Sequence, residues 1–221
     1  MNVDTLKNRL RSLPSLKGPF AEVDMTCLPD TPQQAFGLWL HDAIQEGVQE
    51  PHAMTLSTVD TDGFPDARVL ILKNVDDRGW HFAIKASSPK GLQLAGNPRA
   101  ALTFYWPALG RQIRLRGHAV ALPEAECADD FSTRPQDSKI SAIASLQSEV
   151  LATPDDLSRR LEEARVFLEK HPGHVEPGWR VFALQPHVVE FWQGATDRLH
   201  KRVQYTTAEA RGIWQKHTLW P

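Results

Sequence analysis

The sequence predicts an α+β fold: a closed antiparallel barrel with helices at its edges. Three observations lead there. Short apolar stretches are separated by turn signals such as Asp60-Thr-Asp-Gly63 and Asp76-Asp-Arg-Gly79. Helical spacing is confined to a few segments, without the repeated strand–helix alternation of a βαβ fold. No G-x-G-x-x-G follows a strand, which argues against a Rossmann fold.

The elements follow in order. Residues 1–30 carry a weak leucine spacing (Leu6, Leu10, Leu13) broken by Pro14, Gly18 and Pro19. They read as an arm that orders only against something else. Residues 31–221 read as a single domain. Thr31-Pro32 is a helix start, with proline at the first helical position, and Gly47 is its stop. Between them Phe36, Trp39, Leu40, Ala43 and Ile44 recur at helical spacing and read as core. Strands are predicted over 53–59, 67–75 and 80–85. A short helix opens at Ser88-Pro89 and closes at Gly96-Asn-Pro98. Strands over 100–106 and 112–122 follow, then two short helices between 123 and 147, split at Pro135. An amphipathic helix over 155–170 carries Leu157, Leu161, Ala164, Val166 and Leu168. The chain closes with strands over 180–184, 188–192, 198–205 and 213–219.

Composition narrows the function. A chain of 221 residues can bury a core without disulfides or metals. With 25 basic against 27 acidic side chains it lacks the cationic excess of a nucleic-acid surface. Cys27 and Cys127 form no C-x-x-C pair, so neither a zinc site nor a redox dithiol is indicated. The polar, proline-broken start and the absence of a long apolar run predict a cytoplasmic protein without a membrane span. G-x-S-x-G, H-E-x-x-H and P-loop patterns are absent, and His171-Pro-Gly-His174 is a turn without metal-ligand company.

Four local patterns could carry chemistry. In Arg198-Leu-His200-Lys-Arg202, a strand would put Arg198, His200 and Arg202 on one face. Such a row repels itself unless it meets an anion, although a solvated edge strand would tolerate it equally. Arg68-Val-Leu-Ile-Leu-Lys73 brackets an apolar stretch with two cations. Their odd separation sends them to opposite faces of a regular strand, so one ligand could meet both only at a bulge, a strand end or a subunit interface. Ser87-Ser88-Pro-Lys90 at a helix start offers N–H groups, hydroxyls and an ammonium to a phosphate, or is simply a helix cap. Arg134-Pro-Gln-Asp-Ser138, followed by Gln147-Ser148, supplies a guanidinium and several polar groups, or is merely a loop and a polar helix end. Trp106 and Trp192 could stack on a planar ring or pack as core.

Together these stretches resemble the pyridoxamine 5′-phosphate oxidase family over most of the chain from about residue 31. The carrying segments are Arg68-Val-Leu-Ile-Leu-Lys73, Asn97-Pro-Arg-Ala-Ala-Leu-Thr-Phe-Tyr-Trp106, Arg111-Gln112, Ser132-Thr-Arg-Pro-Gln-Asp-Ser138, Glu190-Phe-Trp-Gln-Gly194 and Arg198-Leu-His200, with the closing Leu219-Trp-Pro221. The resemblance implies an antiparallel split barrel forming a homodimer, with FMN at the subunit interface. It implies oxidation of a phosphorylated B6 vitamer to pyridoxal 5′-phosphate, with O2 as acceptor and H2O2 released. By position, Arg68, Lys73, Ser88, Lys90, Gln112, Gln147, Ser148, Trp192 and Arg202 match cofactor-binding residues. Lys73, Arg134, Ser138, Arg198 and His200 match substrate-binding residues, Arg134 and Ser138 at the phosphate and Arg198 and His200 at the reacting carbon. Four positions depart from the family pattern: Pro89 replaces an arginine, Ala83-Ile84 replaces a Tyr-Thr pair, and Asp130 replaces a phosphate-binding tyrosine. A carboxylate at 130 is expected to repel phosphate unless it points away. That departure keeps open a relative oxidising another small molecule, of the phenazine-pathway type, or a non-catalytic flavin- or vitamer-binding protein.

Overall fold

A computed structural model of the chain describes residues 3–208 and 212–221. It opens with α1 (Val3–Ser12) and a single 3-10 turn at Met25–Cys27, then α2 (Pro32–Gln45), whose first turn is capped by the Thr31 hydroxyl. Next come β1 (Ala53–Val59), β2 (Pro65–Ile71), β3 (Asn74–Asp76) and β4 (Gly79–Lys85), then α3 (Pro89–Gly96), β5 (Arg99–Trp106) and β6 (Arg111–Ala121). Helices α4 (Glu124–Ser132), α5 (Gln136–Ala144) and α6 (Pro154–Lys170) precede β7 (Trp179–Gln193), β8 (Lys201–Thr206) and β9 (Gln215–Leu219). Among the described residues no helix is long and apolar enough to cross a membrane.

The strands form one antiparallel sheet in the order β2-β1-β5-β6-β7-β4-β3, with β8 pairing β7 and β9 pairing β8. Inward positions alternate with outward ones. Leu102, Phe104, Ile113, Leu115, Val189, Phe191, Val203 and Tyr205 are buried, while Tyr105, Arg114 and Arg116 between them are exposed. The sheet curls around α2: Phe36 meets Trp80 of β4 edge-on at 5.7 Å and Phe104 of β5 at 4.9 Å, and Trp39 meets Phe191 of β7 at 5.1 Å. One helix can touch strands so far apart in the sheet only if the sheet is strongly curved. Of the predicted stripe on this helix, Phe36, Trp39 and Ala43 are core, Leu40 is half-buried and Ile44 is exposed. A satellite core under α5 and α6 joins Ile140, Ala144, Ala164 and Leu168. Leu157 and Val166 of the predicted α6 stripe lie outside it, on the exposed side.

Five sequence expectations are corrected. The barrel is not closed by a ladder, since β2 and β3 are the two ends of the strand path. The strand predicted over 67–75 is broken. Leu72 N–H donates to the His52 carbonyl at 2.9 Å, whereas Lys73 N–H donates to the His81 carbonyl at 2.8 Å. The chain thus changes partner between consecutive residues, and this corner brings the two sheet ends together. The strands predicted over 180–184 and 188–192 are one strand, β7, with a register shift that leaves His187 unpaired opposite Arg116 and Gly117. Pro186 lacks an N–H for the ladder, and Gly117 lets the backbones close: a Cβ there would lie 2.0 Å from the Gln185 carbonyl oxygen. Finally, β8 begins only at Lys201, so Arg198 and His200 are not strand residues. The last strand is likewise shorter than the predicted 213–219.

Candidate functional site

The first cluster lines a cavity of about 450 Å³. Lys90, Arg134, Ser138 and Gln147 face it, together with Lys85 and Trp179. Each has a local reason to be there. The buried Ser88 hydroxyl caps α3, donating to the Lys85 carbonyl at 2.7 Å and accepting from Gly91 N–H at 3.3 Å. Its hydroxyl is therefore committed to the cap, and of the Ser88–Lys90 pair it is Lys90 that faces the cavity. Burial lowers the Lys90 pKa, the nearby Arg68 adds to this, and Asp66 opposes it. Arg68 projects from β2, donates to Thr58 Oγ1 at 2.6 Å and is ion-paired with Asp66. Lys85 Nζ donates to the carbonyls of Ala142 and Ser145 at 2.6 and 2.8 Å. An ammonium at the C-terminal end of α5 suits the helix dipole and fixes that end against β4.

Arg134 sits between α4 and α5. Its guanidinium lies 4.1 Å from the Trp179 ring centroid, and one nitrogen donates to the Ser138 carbonyl at 3.3 Å. The buried Nε has no partner, and burial lowers the arginine's pKa while Asp130 opposes that. A buried N–H without a partner is uncommon in folded proteins. Asp130 has two partners here. One carboxylate oxygen is 3.1 Å from Lys73 Nζ, and the other accepts from Trp179 Nε1 at 2.8 Å. Lys73 occupies the corner between β2 and β3. The parity argument that separated it from Arg68 does not apply across that bend.

The second cluster is a row across four strands. Tyr105 pairs with Gln112, Gln112 with Trp192, and Trp192 with Arg202. Gln112, Trp192 and Arg202 are half-buried on the outward face. Two residues before Trp192, Glu190 is buried on the same face, with Arg202 Nε donating to it at 2.8 Å and Arg114 donating to its other oxygen. Burial by itself would raise the Glu190 carboxyl, but the hydrogen bonds from Arg202 and Arg114 hold it below the ordinary range. Its contribution to stability is present above the unfolded glutamate range and is lost as pH falls through the lower folded value. Glu190→Gln is expected to cost about 1–2 kcal/mol near neutral pH, discounted because Arg114 is half exposed. Melting curves from pH 7 to pH 3 check this: the variant's Tm should fall less steeply on acidification than that of the parent.

The third group is the β7–β8 hairpin. Arg198 has φ 69°, a left-handed backbone that costs a non-glycine residue energy. An Asp197 carboxylate oxygen accepts from Leu199 N–H at 2.9 Å and stabilises the turn. The Arg198 side chain is exposed, with one guanidinium N–H donating to Ser15 Oγ at 3.2 Å. His200 Nδ1 accepts from Ala195 N–H at 3.2 Å, and its ring packs 4.8 Å from Trp192. The neutral imidazole therefore carries its proton on Nε2. No residue of this hairpin or of the strand row lines the first cavity. Ser148, at φ 71°, borders a different groove with Leu151 and Arg160.

Residues 40–193 match the family described as pyridoxamine 5′-phosphate oxidase. The chain belongs to the pyridoxamine 5′-phosphate oxidase family. Residues 179–221 match that family's pyridoxine 5′-phosphate oxidase C-terminal dimerisation region. The chain is 42% identical over 196 residues to the pyridoxine/pyridoxamine 5′-phosphate oxidase of Pseudomonas paraeruginosa, covering 87% of this chain and 90% of that one. It is 38% identical over 202 residues to the enzyme of that name from Salinibacter ruber, covering 91% and 94%. Among solved structures it is similar to PhzG from Burkholderia lata in complex with tetrahydrophenazine-1-carboxylic acid, with TM-score 0.84, 30% identity and coverage of 92% and 100%.

Within this oxidase family member, Trp179 and Glu190 are among the site residues that escaped the sequence reading. Trp179 underlies Arg134, yet as a lone tryptophan after Pro177-Gly178 it carries no local signal. Glu190 was legible: it shares strand parity with Trp192, and a carboxylate on that face needs a cation such as the Arg202 opposite.

Proposed function

We propose that this chain is a pyridoxine/pyridoxamine 5′-phosphate oxidase that binds FMN and works as a homodimer. The observation that carries the reading is the buried, unpartnered Arg134 Nε beside the cavity. It offers a planar fork to a phosphate ester, with Ser138 in the next helix. The residues present also fit FMN. Lys90 is an ammonium whose burial is unfavourable until an anion joins it. Arg68 stands beside it, and Gln112 and Trp192 offer an amide and a flat ring. When bound, FMN supplies a two-electron acceptor that O2 reoxidises, releasing H2O2.

The protein's share is binding and orientation. Arg134 and Ser138 would hold the substrate phosphate, with Lys73 between the two ligands. Lys90, Arg68 and Gln147 would hold the cofactor's anionic end. Arg198 would orient the reacting C4′ group with its guanidinium, and His200, its ring fixed by Ala195 and Trp192, would present Nε2–H beside it. The hairpin and the cavity are separate within one chain, and the hairpin falls inside the match to the dimerisation region. A homodimer would bring one subunit's cavity to its partner's hairpin and complete each site from both.

Anaerobic mixing of the FMN-loaded protein with pyridoxine 5′-phosphate is expected to bleach the flavin absorbance. Admission of air should restore it with pyridoxal 5′-phosphate formed. Flavin that stays oxidised rejects this reading. Asp130 and the likeness to PhzG favour one second reading, an oxidase of another small ring compound. It predicts bleaching by a reduced phenazine carboxylate and none by the vitamer.

A further inference from the structure

The tyrosine-to-aspartate departure at position 130 lies in a chain of contacts that ends at the anion pocket. Lys73 Nζ is 3.1 Å from one Asp130 oxygen, and Trp179 Nε1–H donates to the other at 2.8 Å. The far side of that system is the Arg134 guanidinium, 4.1 Å from the Trp179 ring centroid, with its Nε unpartnered. Trp179 also meets Phe131 at 5.8 Å, which limits how the indole can tilt. The carboxylate and the two cations are all partly shielded from water, so their charges act on one another and on any entering anion.

We propose that Asp130 is a positioning and specificity-determining residue of the phosphate pocket, acting in two opposed ways. Through Trp179 it holds flat the surface on which Arg134 rests, which favours binding of a phosphate ester. Through Lys73 it cancels one positive charge, which weakens attraction for that same dianion. The inference rests on reading this cavity as a phosphate site; it adds that affinity is set by a residue that does not touch the phosphate.

The two effects separate by substitution. Asparagine keeps an acceptor for the Trp179 N–H and removes the charge. Leucine removes both. With the FMN-loaded protein, inorganic phosphate is the probe, measured by calorimetric titration and by competition against pyridoxal 5′-phosphate. Asp130→Asn is expected to bind phosphate about three- to tenfold tighter than the parent. Asp130→Leu is expected to bind about tenfold weaker than Asp130→Asn, because both lack the charge and only one keeps the indole bond. With pyridoxine 5′-phosphate the same order should appear in KM, with kcat nearly constant. Should the leucine variant fold poorly, Trp179→Phe removes the same N–H donor and should weaken phosphate binding by a similar factor.

Equal affinities for the asparagine and leucine variants, or no gain with asparagine, would overturn the proposal. So would parent protein that binds no phosphate at all. Phosphate shifts in the expected order, in a protein that never oxidises the vitamer, would uphold this inference and reject the proposed activity.

Discussion

Replacing Arg198 with alanine is expected to lower kcat for pyridoxine 5′-phosphate by about 10²–10³-fold, the loss typical when a donor aimed at developing charge is removed. The fold should hardly notice. Arg198 is exposed, and its only described side-chain hydrogen bond is to the Ser15 hydroxyl at 3.2 Å. The unusual backbone at φ 69° is retained, because alanine meets the same left-handed penalty as arginine. Flavin absorbance after FMN titration should match the parent, as should Tm, while single-turnover bleaching slows. Arg198→Lys should recover only part of the rate, since an ammonium lacks the guanidinium's fixed fork. Unchanged turnover in the alanine variant would remove Arg198 from the reaction.

Arg134→Ala should act on binding instead. Losing one or two charge-assisted hydrogen bonds to a phosphate, each contributing roughly 1.5–3 kcal/mol, predicts a rise in KM of about 10²-fold. The change in kcat should be much smaller. Steady-state kinetics with a phosphorylated vitamer, compared with the unphosphorylated one, checks this: the variant should treat the two nearly alike. Lysine at 134 should rescue little, because the site is built as a plane on Trp179 with a flat guanidinium above it. A variant that still prefers the phosphorylated form by the parent's margin would move the phosphate elsewhere.

Much of the fold was legible because the local signals agree with the tertiary ones. Thr31-Pro32 starts α2, the break at Pro135 separates α4 from α5, and turn residues bracket β1 and β4. Where a local signal was ambiguous, it misled. The alternation in 198–202 suited a strand, yet the Asp197 turn and the left-handed Arg198 keep the first three residues out of it. The apolar run 67–75 carried no mark of the corner at Leu72 and Lys73, because neither residue is a turn former.

The sequence by itself determined the family, the order of elements and which polar residues were candidates for chemistry. Those rest on residue types at fixed spacing, and spacing is a property of one chain. Only the tertiary structure decided how the candidates divide: Lys90, Arg134, Ser138 and Gln147 around one cavity, and Gln112, Trp192 and Arg202 along a row of paired strands. It also decided that Asp130 is held between Lys73 and Trp179. The partners of Asp130 lie 57 residues behind it and 49 ahead of it. What a charge does depends on what the fold places within a few ångströms of it, and no local pattern encodes that.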